Sequence, residues 1–123
     1  MMMREFDPAR DHGRYILDTD GRTPIPCDDL LTWARWLEKH NRHVAHDVID
    51  LQYEVSTIFT GLDLNIARMF NDKARPHLFE TAVFRLAARA RIGMTGGGRW
   101  STWDEAEREH ARIVAELRKS AAG

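Results

Sequence analysis

Apolar and polar positions alternate with period two from Ile49 to Thr60. Ile49, Leu51, Tyr53, Val55, Thr57 and Phe59 fall on one side, and Asp50, Gln52, Glu54, Ser56 and Thr60 on the other. The run is rich in β-branched and aromatic residues and stops at Gly61, so it predicts a half-buried strand, with Ile58 the one large apolar side chain on the polar face. Leu78 to Phe84 predicts a second strand. Arg14 to Asp18 predicts a short one, turned at Thr19-Asp20-Gly21-Arg22 by an Asp-Gly hairpin signal. The return through Pro24 and Pro26 lacks two ladder donors and fits only an edge or an extended connector.

Helical spacing appears twice. After an Asp28 N-cap, with Asp29 in the first turn, Leu30, Trp33, Ala34 and Leu37 form a stripe that predicts a helix from Asp29 to His40, with Trp36 at its border. Near the end, Thr102-Trp103-Asp104-Glu105 fits a capping box, with Ser101 an equally good cap. Trp103, Ala106, His110, Ile113, Val114 and Leu117 then form a stripe that should run to about Lys119. Glu105, Arg108, Glu109, Arg112 and Glu116 supply ion pairs on its outer side.

Between these elements the pattern is mixed. Residues 42–52 are ambiguous: Val44, Val48 and Ile49 could extend a helix, but their β-branching and the alternation favour strand, as two short strands broken near Asp47. Residues 64–77 read as a long loop with a helical turn at Asn65 to Phe70, and residues 85–99 read as a loop carrying Gly93, Gly96, Gly97 and Gly98. The economical assembly is an α+β domain of two layers: an antiparallel sheet of three to five strands with two helices packed on one face. Residues 14–119 form that single domain, residues 1–13 a flexible arm and residues 120–123 a frayed tail. Burial of Trp33, Phe59, Phe79, Phe84 and Trp103 would contribute roughly 1.5–3 kcal/mol each, ample for one small core.

Composition adds limits. The chain has 123 residues, enough for one core and too few for two ordinary domains. Its single cysteine, Cys27, fits a reducing cytosol, and no apolar run approaches the roughly 20 residues that span a bilayer. The expectation is a cytoplasmic protein with no membrane partner and no cofactor. The net charge of −1 hides a segregation. Within residues 66–99, Arg68, Lys73, Arg75, Arg85, Arg89, Arg91 and Arg99 face only Asp72 and Glu80, which leaves that segment at +5 and the remainder at −6. Both basic runs flank the strand 78–84, where they can lie near each other and meet phosphates or an acidic protein surface.

Other constellations have plain structural readings beside the chemical ones. His40, His43 and His46 are spaced by three and could join Asp47 or Asp50 around a metal, but the chain is expected to leave the helix before His43, which makes a solvated helix terminus the simpler reading. His110 inside an apolar stripe is a hydrogen-bonded core residue before it is a general base. Asp63 beside Gly61 is the best carboxylate for catalysis and equally a turn cap. The glycines of residues 93–98 lack the Lys-Ser/Thr ending of a phosphate-binding loop and fail the dinucleotide fingerprint.

Three stretches carry a resemblance: Asp29-Leu30-Leu31-Thr32-Trp33-Ala34-Arg35, Val55-Ser56-Thr57-Ile58-Phe59-Thr60-Gly61-Leu62-Asp63 and Leu78-Phe79-Glu80-Thr81-Ala82-Val83-Phe84. With the closing Arg99-Trp100-Ser101-Thr102-Trp103-Asp104-Glu105-Ala106 and His110, they resemble, in order over most of residues 14–118, a family of small uncharacterised proteins encoded in bacteriophages and prophages. That family pattern has a His after Gly-Leu-Asp where this chain has Leu64. It also has a short Gly/Pro connector where this chain has the longer, basic residues 66–76. The resemblance carries over no catalytic activity. It implies a phage accessory protein that acts by binding, with inhibitors of host defence such as anti-CRISPR proteins a leading class.

Three functional readings follow. The first is a non-enzymatic protein that binds a host protein or ribonucleoprotein complex through the seven cations, or through the polar sheet face as second choice. The second is a nucleic-acid-binding accessory protein using the same cations. The third is a small enzyme using Asp63 and His110. A homodimer through an exposed Trp36 and Ile58 stays open beside all three.

Overall fold

The computed structural model describes residues 13–71 and 73–122, so most of the expected N-terminal arm lies outside the described residues. The elements in chain order are β1 (Tyr15–Leu17), β2 (Pro24–Pro26), α1 (Leu30–Lys39), β3 (His43–Ile49), β4 (Tyr53–Phe59), a 3-10 turn (Ile66–Met69), β5 (Phe79–Ala87), β6 (Ala90–Trp100) and α2 (Trp103–Ala122). Strands β1 and β2 pair in a two-stranded ribbon, while β3-β4-β5-β6 form an antiparallel meander. Both helices pack on one face of that sheet, and the protein is α+β. No helix among the described residues is long and apolar enough to cross a membrane.

The register sorts every sheet residue to a face. Thr57 pairs with Ala45 and Thr81, and Thr81 with Gly98; Val55 pairs with Asp47 and Val83; Phe59 pairs with Phe79, and Phe79 with Trp100. All of these point toward the helices. One cluster joins Phe59, Phe79, Leu78, Tyr15, Leu17 and Ala106, and a second joins Ile49, Val55, Val83 and Val114. Trp103 stands edge-on to Phe79, with ring centroids 6.1 Å apart.

Several sequence expectations need correction. The alternation of residues 49–60 is two strands, not one: Asp50 and Leu51 both take positive φ, and Gln52 N–H donates to the Ile49 carbonyl at 2.8 Å, closing a tight turn. Leu51 is therefore 59% exposed instead of sharing the core face. β3 runs unbroken through Asp47, with its irregularity at Val44. The largest difference is at residues 85–99, expected as a loop: β5 continues to Ala87, Ala88 and Arg89 make the turn with positive φ, and the glycine-rich segment is the edge strand β6.

Two of its glycines are demanded by the fold. Gly97 takes φ +147°, and any Cβ there would strike the Thr81 carbonyl. A Cβ on Gly98 would lie 2.5 Å from the Trp100 indole, which folds back over it to reach Thr81.

The caps differ in detail. Asp29, not Asp28, caps α1, accepting from Leu31 N–H at 3.0 Å and the Thr32 hydroxyl at 3.0 Å. The Thr32 hydroxyl, then the Thr32 and Leu31 N–H groups, hold its carboxyl below the usual range. The stripe that docks α1 is shifted too. Leu30 is 57% exposed, whereas Trp36 stands edge-on to Phe59 with centroids 5.7 Å apart and Trp33 donates its indole N–H to the Gly61 carbonyl at 2.9 Å. Trp36 is thus a packing residue and not an exposed dimer contact. In α2, Glu105 accepts from Ser101 N–H at 2.8 Å while Thr102 accepts from Glu105 N–H at 3.1 Å, a capping box shifted by one donor. The helix continues to Ala122.

Candidate functional site

Two polar assemblies stand out, one sealed in the core and one on open surface. The sealed assembly is a chain of hydrogen bonds. The Trp100 indole N–H donates to Thr81 Oγ1 at 3.0 Å, and the Thr81 and Thr57 hydroxyls are 2.5 Å apart. Thr57 Oγ1 lies 2.7 Å from His110 Nδ1, and His110 Nε2 lies 2.7 Å from Asp47 Oδ2. An indole only donates and an ionised carboxylate only accepts. With a neutral imidazole the protons therefore run one way, from indole to Thr81, Thr57 and Nδ1, with Nε2–H donating to Asp47. Every member is satisfied.

Asp, His and a hydroxyl in series resemble a nucleophilic triad, but Thr57 has no exposed surface and its oxygen already serves two partners. The arrangement holds α2 on the sheet, as expected of a hydrogen-bonded core histidine. Asp63 belongs to a different set: Oδ1 accepts from Asn65 N–H and His77 N–H, each at 2.9 Å, and Oδ2 meets Arg68 Nε at 2.7 Å. It braces the 64–77 loop. The two residues of the enzymatic reading are each committed elsewhere.

The seven cations separate into two groups. Arg68, Lys73, Arg75 and Arg99 lie at the end of the sheet where Glu80 pairs with Arg99 in the ladder. Arg85, Arg89 and Arg91 lie at the β5–β6 turn. Positions 80 and 85 of β5 are about 17 Å apart at strand rise, so the two basic runs do not form one patch. Four of the seven are met by carboxylates of this chain: Arg68 by Asp63, Arg75 by Glu105 at 3.4 Å, Arg91 by Glu54 at 2.6 Å and Arg99 by Glu80 at 3.1 Å. Among the described residues no carboxylate meets Lys73, Arg85 or Arg89. A polar groove of about 350 Å³ at the first end is lined by Arg75, His77, Arg99, Trp100, Glu105 and Arg108, among others.

The face of the meander turned away from the helices is bare of any helix among the described residues. Val48 pairs with Glu54, Glu54 with Phe84 and Phe84 with Met94, all on this face. Glu54, near the β3–β4 turn, takes Arg91 Nε at 2.6 Å and His46 Nε2 at 2.8 Å, while the Arg91 guanidinium lies 4.0 Å from the centre of the Phe84 ring. The hydrogen bond from Arg91, then that from His46, draws the Glu54 carboxyl down to about 2. Phe84 is therefore a surface residue and not part of the core; its parity opposite to Phe79 and Val83 already implies this. Val48 is 47% exposed and Met94 71%.

Other features were not anticipated. The 3-10 turn and its C-cap expose Ile66, Met69 and Phe70, the last at 87%; their apolar identity is legible in the sequence, but the lack of cover over so short a turn is not. The three histidines do not converge. His40 stacks on Trp36 with ring centroids 4.5 Å apart and donates Nδ1–H to the Trp36 carbonyl at 2.8 Å, while His46 meets Glu54. Among the described residues no group of three His, Cys, Asp or Glu is placed to hold a metal ion. Comparison with known proteins finds no matching family model, no matching curated protein and no matching solved structure.

Proposed function

We propose that this chain is a non-enzymatic binding protein, an inhibitor that a phage or prophage directs at a host defence complex of the CRISPR type by protein–protein contact. The observation that carries the reading is the bare sheet face. There Glu54, Arg91 and His46 form a fixed charged centre over Phe84, flanked by the exposed apolar side chains of Val48 and Met94. An aromatic and an arginine held in one geometry amid apolar surface is the composition of an interface centre. The resemblance to small phage proteins supplies the biological context. Self-neutralisation of four of the seven cations weighs against nucleic acid as the target, because counterion release needs cations free to meet phosphates.

The test is CRISPR interference in a bacterial host expressing the chain, beside co-purification of the effector complex with it. The reading expects interference to fall and the effector to co-purify. It also expects both effects to be lost on Arg91→Glu with Phe84→Ser, with the fold kept and the melting temperature only modestly lowered, since ring and ion pair are both partly open to water. Intact interference with no effector recovered overturns it. Binding to DNA or RNA that weakens steeply with salt would put the nucleic-acid reading in its place.

A further inference from the structure

β6 is the outer strand of the sheet, and no strand pairs with its far side among the described residues. From Ala90 to Gly97 every residue is exposed, so this edge offers unpaired backbone along most of its length. Glycine weakens a strand interior, so each glycine here calls for a cause. Gly97 and Gly98 have theirs in the Thr81 carbonyl and the Trp100 ring. Gly93 and Gly96 have none within this chain: a Cβ on either would meet nothing within 4 Å, and neither takes positive φ. Bulges interrupt the ladder beside them, but the bulge that requires glycine also requires a left-handed φ.

What remains is close approach by something outside the chain. Pairing puts Gly96 beside Val83 and Gly93 beside Arg85, both on the helix side of the sheet. Arg85 has no carboxylate among the described residues, and Gly93 puts no side chain between its guanidinium and the strand position beyond β6. Of the arginines on the ribbon from Phe79 to Trp100, Arg91 is met by Glu54 and Arg99 by Glu80, which leaves Arg85 and Arg89 without a carboxylate among the described residues. An occupant of this edge is thus asked for two properties: extended backbone to complete the ladder, and carboxylates to answer the arginines.

We propose that β6 is a docking edge for an extended acidic segment of a partner protein, which adds as a fifth strand over Gly93 and Gly96 and brings a carboxylate to Arg85. This rests on the binding reading above and names the shape and charge of what is bound. A second copy fits less well, since an antiparallel pairing of two β6 strands centred on their middle residue sets Arg91 against the other copy's Arg99.

The test titrates the isotopically labelled chain with a short capped peptide of alternating glutamate and valine, read from backbone amide shifts. A lysine-valine peptide is the control. Shifts concentrated on β6 with the acidic peptide alone are expected. Arg85→Glu and Gly96→Val should each weaken the interaction at least about tenfold, while Gly96→Val leaves the melting temperature unchanged or raised. That pairing of a kept or improved fold with lost binding is what a glycine of purely internal origin would not give. Equal shifts with both peptides, shifts away from β6, or unaltered binding by Gly96→Val overturn the proposal. So does a concentration-dependent dimer that Gly96→Val dissociates, which would make the occupant a second copy.

The failure of the two readings is separable. If the effector co-purifies and is lost with Arg91→Glu and Phe84→Ser but not with Gly96→Val, the docking edge falls and the inhibitor reading stands. If the peptide docks and no effector co-purifies, the inhibitor reading falls alone.

Discussion

The two faces of the four-stranded sheet are made by the same residues in alternation, yet they hold in different ways. Toward the helices, Val55, Thr57 and Phe59 have no exposed surface, and the polar atoms among them are tied from Trp100 through to Asp47. Away from the helices, Glu54, Ser56 and Ile58 remain partly open, and the polar atoms there pair across strands in contact with water. Burial makes each group on the first face costly to remove, because its partners lose a contact that solvent cannot replace. On the second face water substitutes. The same strand can therefore anchor a core on one side and stay free to change on the other, which is the arrangement a binding surface needs.

The sharpest break of this comparison sets two phenylalanines against each other. Phe59→Ala leaves a cavity between Phe79 and Trp36 and should cost about 3–5 kcal/mol. Phe84→Ala removes a ring that covers only its own face and lies under Arg91, and should cost less than about 1 kcal/mol. Urea unfolding of both variants measures the difference. Equal losses would mean that the bare face is a second core.

A smaller effect comes from adjacent hydroxyls. Thr57→Val keeps the shape but strands His110 Nδ1 and the Thr81 hydroxyl, for a loss of about 2 kcal/mol. Ser56→Val, one residue earlier and on the other face, should stay within about 0.5 kcal/mol and favour the strand slightly. A costless Thr57→Val would show that the relay fills space without holding the helix.

These contrasts also explain what could be read from residue order. The alternation in residues 53–59 and the 3.6-residue stripe of α2 survive folding because each is set by a single large interface, and parity within β5 sets Phe84 opposite Phe79 and Val83. The hairpin at Asp50 and Leu51 was hidden because neither residue is glycine, and a turn there keeps the parity of Ile49 with Tyr53. β6 was hidden for the opposite reason: its glycines signal a loop, while the cause of Gly97 is the Thr81 carbonyl on the neighbouring strand and that of Gly98 the Trp100 indole folded back over it. The charge excess was legible but its neutralisation was not, since Arg68 finds Asp63 and Arg91 finds Glu54 only across strands and loops. His110 was legible as a core residue; its partners were not, because Asp47 and Thr57 lie far away in sequence on β3 and β4.

The smallest effect is one of pH, and it concerns the charged centre of the bare face. Hydrogen bonds from Arg91 first and His46 second hold the Glu54 carboxyl at about 2, below its ordinary value of 4.5. A depressed carboxylate contributes stability that is fully present above the unfolded value. That contribution declines as pH falls from about 4.5 through about 2, where the folded protein takes up the proton. Both partners are about half exposed, so water and salt screen the gain, and less than about 1 kcal/mol should survive. Glu54→Gln should flatten the stability profile across that window by removing this contribution at neutral pH, while leaving stability at the acid end of the window nearly unchanged. The flattening should shrink in molar salt, as it must for a pair in contact with water. A Glu54→Gln loss comparable to that of Phe59→Ala, insensitive to salt, would place this carboxylate in a dry environment and erase the distinction between the two faces.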